Sequence, residues 1–244
     1  MIMNRTEIRP ALVAMVATTV ALAAIAFAAS APGWPTRPLW FWLIACTVSE
    51  WLWVRLPLGR ATLSMSSCFN LAALLVLPRG EAMLAVAASI AIAEFTFMRK
   101  SAMRAIFNCA QTALAVAAGS LAFTMLGGTG ERLSGLIADF DLLPFLAAGL
   151  AYSAVNTGAV SVAVALTEGV SPWLAWRQNF ASSFELVSRG ALLSLGILVA
   201  LHYTLTGPAG TLLVALPLVV AHQSYARRLE RNAAADAQLP ARAA

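Results

Sequence analysis

The chain has 244 residues, of which 60% are hydrophobic and 11% are charged, and its mean hydropathy is +0.79. An ordinary soluble domain has about a quarter charged residues, so this composition excludes a water-soluble fold and predicts that the chain lies in a lipid bilayer. The net charge of +5 does not indicate a nucleic-acid partner, because the basic residues are scattered at the ends of apolar segments. We expect an all-α, polytopic transmembrane helix bundle that contacts lipid and no nucleic acid.

Eight apolar segments follow one another along the chain. They cover residues 11-30, 39-54, 63-77, 81-98, 104-126, 142-167, 180-205 and 209-225. A spanning helix needs about 20 apolar residues to cross about 30 Å of hydrocarbon. The third segment is short, rich in Ser and Asn, and bracketed by Pro57-Leu58-Gly59 and Pro78-Arg79-Gly80, so a re-entrant or broken helix is the alternative to a full span. The sequence predicts six to eight spans, with eight favoured.

The basic residues divide unequally between the two sides of an eight-span bundle. One side, which also holds the amino terminus, receives Arg5, Arg9, Arg55, Arg60, Arg99, Lys100, Arg104, Arg177, Arg227, Arg228, Arg231 and Arg242. The other side receives Arg37, Arg79 and Arg132. The positive-inside rule therefore predicts that both termini are cytoplasmic, in a multi-pass protein of a bacterial inner membrane. The tryptophans lie near segment ends, Trp34 and Trp42 among them, where we expect them to act as interfacial anchors.

The bundle is expected to take up nearly the whole chain. Residues 1-226 form the predicted transmembrane domain, and residues 227-244 form a short cytoplasmic tail into which the last helix runs. The tail has hardly any large apolar side chains, so it cannot build a hydrophobic core of its own.

The motifs of several enzyme classes are missing from the sequence. Lys100 is the single lysine and no GxxxxGK precedes it, which excludes a P-loop. His202 and His222 have no HExxH motif, and the cysteines occur singly, so no metal site is indicated. No GxSxG elbow is present. We expect no enzymatic activity, no cofactor and no metal.

Charged residues inside predicted spans are candidates for function, because they are costly when exposed to lipid. Glu185 and Arg189 lie four residues apart, on one face of the seventh segment, and can pair. The pair either neutralises itself inside the bundle or opens around a polar ligand. Glu50 and Glu94 lie near cytoplasmic segment ends, where anchoring by neighbouring cations is favoured over a proton relay.

Polar side chains also follow helical spacing in the fifth segment, where Arg104, Asn108 and Gln111 share one face. A midplane or inner-leaflet cavity is predicted from the buried amides Asn70, Asn108, Asn156 and Asn179. The alternative is that these amides bond to the backbone or to one another. The candidate ligand-binding residues are Asn70, Arg104, Asn108, Gln111, Asn156, Asn179, Glu185 and Arg189.

Several short phrases resemble a known domain. They are Thr62-Leu63-Ser64, Phe69-Asn70-Leu71-Ala72-Ala73-Leu74-Leu75, Arg104-Ala105-Ile106-Phe107-Asn108-Cys109-Ala110-Gln111, Tyr152-Ser153-Ala154-Val155-Asn156-Thr157, Trp176-Arg177-Gln178-Asn179-Phe180 and Leu216-Pro217-Leu218. Their order and spacing, over roughly residues 38 to 230, are similar to the multi-spanning bacterial membrane input domain found ahead of HD-GYP phosphodiesterase and GGDEF cyclase modules. The resemblance implies a sensory bundle whose last helix feeds a cytoplasmic output module. No such module follows in the printed sequence, so we expect a separate partner, a longer parent chain or another role.

The leading hypothesis is a non-enzymatic membrane sensor that binds a small or lipophilic ligand and relays its occupancy to a separate signalling or membrane protein. A substrate-binding subunit of a small-molecule transporter is the first alternative, since the input domain faintly resembles such subunits. A structural subunit of a larger membrane complex is the second.

Overall fold

The computed structural model describes residues 5–30, 36–51, 53–55, 62–139 and 141–242, and it is almost entirely helical there. The helices are α1 (Arg5–Ala29), α2 (Arg37–Trp51), α3 (Ser66–Val76), α4 (Arg79–Ile92), α5 (Ala102–Met125), α6 (Leu133–Ala138), α7 (Leu143–Glu168), α8 (Pro172–Phe180) and α9 (Ser183–Arg242). A π-helical turn (Ala93–Phe97) continues α4, and a 3-10 turn (Gly130–Arg132) precedes α6. Strands β1 (Trp53–Arg55) and β2 (Thr62–Ser64) form an antiparallel hairpin. The predicted all-α bundle is confirmed, whereas Trp34, Pro57-Leu58-Gly59 and Arg60 lie outside the described residues.

Five helical stretches of the described chain are long and apolar enough to cross a bilayer. They are Pro10–Ala29, Arg79–Phe97, Ala102–Met125, Leu143–Glu168 and Glu185–Val214. Two further predicted segments form shorter helices, since α2 has 15 residues and α3 has 11. The eighth predicted segment, 209-225, lies within the second half of α9.

Contacts between helices define two ends of the bundle. At one end, Thr36 Oγ1 donates a hydrogen bond to Glu81 Oε2 in the first turn of α4, at 2.6 Å. At the other end, Glu50 of α2, Ser66 of α3 and Glu94 of the π-helical turn line one cavity. We call these the Glu81 end and the Glu94 end, and α2 and α4 each run from the first to the second.

The third segment also runs between these two ends, although its helix is short. It starts with β2, and α3 then begins at Ser66 at the Glu94 end and leads directly into α4 at the Glu81 end. The 11 residues of α3 cover about 16 Å, which is less than the hydrocarbon thickness of about 30 Å. The predicted segment 63-77 therefore forms a short strand followed by a short helix and not one spanning helix. Strand β2 pairs with β1 in the hairpin.

Helix α3 occupies the centre of the bundle, where nearly all of its side chains are buried. It packs closely against α9, because a Cβ atom on Gly196 would lie 2.7 Å from the Cys68 carbonyl oxygen. Trp42 is also in this core, with its ring centroid 5.1 Å from that of Tyr203, and it is 0% exposed. The interpretation of Trp42 as an interfacial anchor is therefore wrong. Although Trp42 lies near the end of a predicted segment, its ring is buried in the core against α9.

Helix α9 is interrupted at Gly207, whose φ of 71° and ψ of −168° lie outside the helical region. Glycine adopts such a conformation without the steric cost of a Cβ atom. The break falls between the predicted segments 180-205 and 209-225. Beyond it the chain stays helical to Arg242, a length of about 50 Å at 1.5 Å per residue.

Candidate functional site

A polar cavity of about 190 Å³ lies at the Glu94 end, where α2, α3, α4, α5 and α7 meet. All but one of the lining residues are polar. The cavity is lined by Glu50, Ser66, Ser67, Asn70, Ile90, Glu94, Asn108, Gln111, Thr112, Tyr152 and Asn156. Polar lining of this kind is expensive inside a membrane protein unless the groups bind one another, water or a ligand.

Glu94 projects from the π-helical turn, and its surroundings depend on the backbone that follows. The chain leaves the turn through Arg99, which has a φ of 47°, and the Lys100 amide N–H then donates to the Glu94 carbonyl at 3.1 Å. This return of the chain places Lys100 Nζ 2.5 Å from Glu94 Oε1. A π-helical turn is rare and is often found at functional sites, because the extra residue redirects the side chains of the helix.

The two donors of Glu94 both use the same carboxylate oxygen. Asn108 Nδ2 from α5 donates to Oε1 at 2.6 Å, beside the Lys100 ammonium. The second oxygen, Oε2, is buried and has no hydrogen-bond partner in the part of the chain that the structure describes. One oxygen of this carboxylate is therefore satisfied by the protein, and the other is a buried acceptor of a residue that lines the cavity.

Two amide oxygens of cavity-lining residues also lack a hydrogen-bond partner among the described residues. Asn70 donates through Nδ2 to Tyr152 Oη at 3.4 Å, and Gln111 donates through Nε2 to Thr112 Oγ1 at 2.7 Å. Asn70 Oδ1 and Gln111 Oε1 are buried without a partner among the described residues. Asn70 is 1% exposed, Glu94 4% and Gln111 5%. Three unsatisfied hydrogen-bond acceptors from three helical elements thus line one cavity.

Glu50 brings a second carboxylate to the cavity from the last turn of α2. It accepts a hydrogen bond from the Ser66 hydroxyl, and it interacts electrostatically with both Glu94 and Lys100. Two carboxyl groups therefore lie near Lys100, the cation of the site among the described residues.

Four of the eight candidate residues line this cavity. They are Asn70, Asn108, Gln111 and Asn156. Arg104 is exposed and lies away from the lining, although it shares a predicted helix face with Asn108 and Gln111. Asn179 is exposed as well, and its Nδ2 donates to the Ala175 carbonyl at 2.8 Å, which is the backbone bonding that was the alternative for these amides.

Glu185 and Arg189 lie near the start of α9, outside the cavity lining. Both are half-buried, and they interact electrostatically, as their four-residue spacing predicts. The Arg189 guanidinium carbon lies 5.2 Å from the centroid of the Phe180 ring in α8, a cation–π geometry. This arrangement ties α9 to α8 near the site.

Sequence reasoning missed Glu50, Glu94, Lys100 and Tyr152 as members of the site. Glu94 and Lys100 are six residues apart, a spacing that does not bring side chains together on a regular α-helix. The π-helical turn and the left-handed conformation of Arg99 bring the two side chains together, and no sequence pattern predicts either feature. The available signal was that Glu50 and Glu94 lie near the predicted cytoplasmic ends of their segments, a placement that also fits simple anchoring.

A second depression, of about 840 Å³, lies at the Glu81 end between the α3–α4 connection and the loop after α5. Leu74, Leu75, Val76, Leu77 and Phe123 form much of its wall. It is larger than the polar cavity but lacks a comparable group of converging unsatisfied atoms among the described residues, so the Glu94 end is the better candidate site.

Comparison with known proteins gives one match. No curated protein and no solved structure matches the chain. A protein-family model, MASE9, matches residues 39–225, well over half of the chain and all of the helices that line the cavity. MASE9 is a family of membrane-associated sensor domains, so the similarity to a membrane input domain is confirmed, while the link to HD-GYP or GGDEF modules stays a prediction. The protein belongs to the MASE9 family of membrane-associated sensor domains.

Proposed function

We propose that this protein is a non-enzymatic sensor of a bacterial inner membrane, which binds a small polar ligand in the polar cavity and relays its occupancy through α9. The observation that carries the proposal is a set of three buried acceptors without a partner among the described residues, Asn70 Oδ1, Glu94 Oε2 and Gln111 Oε1, whose residues all line one cavity. A buried acceptor without a hydrogen bond costs about 1–3 kcal/mol. A ligand that donates to these atoms removes that cost when it binds. A lipophilic ligand is disfavoured at this cavity, because it would leave the acceptors unsatisfied.

The relay is supported by the position of α3 between the cavity and α9. Ser66, Ser67 and Asn70 line the cavity, and the Cys68 carbonyl faces Gly196 of α9 at a distance that leaves no room for a side chain. Packed helices of this kind do not deform continuously, so a displacement of α3 on ligand binding is transmitted to its neighbour.

The length of α9 supports an output on the cytoplasmic side. The helix continues for about 50 Å beyond Gly207, which exceeds the hydrocarbon thickness of about 30 Å. The receiver is a signalling module or membrane protein that contacts this helix; an HD-GYP or GGDEF module, as the resemblance implies, is one such receiver.

Native mass spectrometry of the gently solubilised protein tests this proposal, because it records bound small molecules and co-purifying proteins together. We expect a retained small polar molecule that is lost in the Asn70→Leu variant and kept in an Arg104→Met control. A protein that carries no small molecule and is held in a fixed complex with other membrane subunits would contradict the proposal and favour the structural role. Recovery of an ATPase with the loaded protein would favour a transporter subunit.

A further inference from the structure

The unsatisfied atoms at the cavity specify the hydrogen-bonding character of its ligand. Among the described residues, the buried polar atoms left without a partner there are all acceptors, namely Asn70 Oδ1, Glu94 Oε2 and Gln111 Oε1. A ligand with several N–H or O–H donors satisfies these acceptors, whereas a ligand that presents only acceptors leaves them without hydrogen bonds. The ligand must therefore donate in several directions from one small group.

The charges at the cavity specify the sign of the ligand. Glu50 and Glu94 both line the cavity, and Lys100 is the cation that interacts with both of them. Phosphate, carboxylate and other anions would lie against two carboxylates and are excluded by repulsion. Among the described residues at the cavity, the carboxyl groups outnumber the cation, so a cationic ligand is favoured over an anionic one.

The protein already shows how this carboxylate binds an ammonium group. Lys100 Nζ lies 2.5 Å from Glu94 Oε1, and Oε2 is the chemically equivalent oxygen, which has no partner among the described residues. A second ammonium group at Oε2 would repeat the same charge-assisted hydrogen bond, with Asn70 Oδ1 and Gln111 Oε1 as acceptors for its other protons.

The cavity volume limits the rest of the ligand. A volume of about 190 Å³ corresponds to roughly six water molecules at about 30 Å³ each. This is more room than a bare metal ion fills, and too little for a nucleotide or a lipid headgroup with its chains. Tyr152 also lines the cavity, and its hydroxyl accepts the hydrogen bond from Asn70 there.

We propose that the polar cavity binds a small primary amine in its ammonium form, with Asn70, Glu94 and Gln111 accepting its N–H groups and Glu50 completing the charge balance. This inference rests on the proposed function, since it names the chemical class of the ligand that the sensor binds.

A matched set of five probes tests the inference on the full chain in lipid nanodiscs. The probes are n-butylammonium, 1-butanol, tetramethylammonium, butyrate and sodium ion, with isothermal titration calorimetry to measure Kd and intrinsic tryptophan fluorescence to measure Tm. We expect n-butylammonium to bind and to raise Tm, and each of the other four to bind at least about tenfold more weakly.

Variants locate the binding and control for folding. Glu94→Gln keeps the shape of the side chain and removes its charge, and Gln111→Leu removes one acceptor; each should weaken n-butylammonium binding by about tenfold or more. Glu131→Gln is the matched control, because Glu131 is exposed and lies at the opposite end of the bundle. Its Kd for n-butylammonium should be unchanged. Tm without ligand and the elution volume on gel filtration identify any variant that fails to fold, and Asn70→Ala then replaces it.

The other outcomes separate the ligand class from the proposed function. Equal binding of sodium ion would replace the amine site with a metal-ion site, and equal binding of tetramethylammonium would show that charge alone is recognised. Preferred binding of 1-butanol or butyrate would overturn the cationic class and keep the cavity as a ligand site. If no probe binds, the inference is overturned, and a retained neutral or anionic molecule in native mass spectrometry would still support the proposed function.

Discussion

At the scale of single residues, the candidate site depends on how Glu94 is held. Its carboxylate accepts hydrogen bonds from Lys100 and Asn108 on one oxygen, and its other oxygen is buried without a partner among the described residues. A buried carboxylate is stable only when its charge is compensated, so Lys100 is expected to be important for stability as well as for the electrostatics of the site.

The Lys100→Met variant is expected to lower the free energy of unfolding by about 2 kcal/mol, because Glu94 then loses its cationic partner while it stays buried. The change is measurable by SDS titration or as a lower Tm. Arg104→Met removes an exposed cation nearby and should change stability by less than about 0.5 kcal/mol. The double variant Lys100→Met with Glu94→Gln should recover part of the loss, and strictly additive effects would contradict a direct ion pair.

Arg99 allows a second test at this scale, because its φ of 47° lies in the left-handed region that favours glycine. Arg99→Gly is expected to stabilise the protein by about 0.5–1 kcal/mol, since it removes the steric cost of the Cβ atom. Arg104→Gly, within the first turn of α5, should instead destabilise it by up to about 1 kcal/mol. Thermal unfolding of the two variants, measured side by side as Tm, tests this difference. A lower Tm in both variants would argue against a left-handed Arg99.

At the scale of helices and strands, α3 is the element that joins the candidate site to the rest of the bundle. One part of its surface lines the polar cavity, and another packs on α9, where Gly196 lies against the Cys68 carbonyl. Small residues at such crossings let helix backbones approach closely in membrane proteins, where packing replaces the hydrophobic effect as the driving force.

The Gly196→Ala variant is expected to force α3 and α9 apart and to lower stability by about 1–3 kcal/mol, because its Cβ atom would lie 2.7 Å from a backbone oxygen. Gly190→Ala is the matched control on the same helix, since a Cβ atom there meets nothing within 4 Å. This control should be neutral or slightly stabilising.

The same two variants test the relay from the cavity to α9. We expect a distance between spin labels along α9 to change on ligand binding in Gly190→Ala and not in Gly196→Ala. A change in both variants would count against α3 as the connection.

At the scale of the whole molecule, the chain runs back and forth between two chemically different ends. The Glu94 end holds the polar cavity and most of the basic residues of the described loops, while the Glu81 end holds the acidic loop with Glu131, Asp139 and Asp141. The charge distribution predicts that both termini are cytoplasmic, and this arrangement requires the third segment to cross the bilayer.

Labelling of introduced cysteines with a membrane-impermeant maleimide tests this topology in intact cells. Glu131→Cys is expected to react from outside, and Ser101→Cys only after the cells are permeabilised. Cys46 and Cys68 are fully buried and should give little background, and replacing Cys109 with Ala removes the remaining half-buried thiol. Reaction of both introduced cysteines from the same side would show that the third segment does not cross.

Hydropathy, charge and the order of short phrases were sufficient to predict a membrane bundle, the position of its segments and its similarity to a sensor domain. These properties are local, because each span must satisfy its own backbone and bury its own apolar surface in lipid. Four amides of the site, Asn70, Asn108, Gln111 and Asn156, could be identified for the same reason: a polar side chain within an apolar segment needs a partner wherever it lies.

The tertiary structure alone decided which polar groups meet and which of their atoms stay unsatisfied. Glu50, Asn70, Gln111 and Tyr152 come from four helices, and Glu94 joins them through a π-helical turn that hydropathy does not reveal. Arg104 follows the same helical spacing and yet lies outside, since a spacing defines a helix face and not what packs against it. The strand in the third segment was undetermined for a related reason: it forms because a second strand, several residues away in the chain, pairs with it.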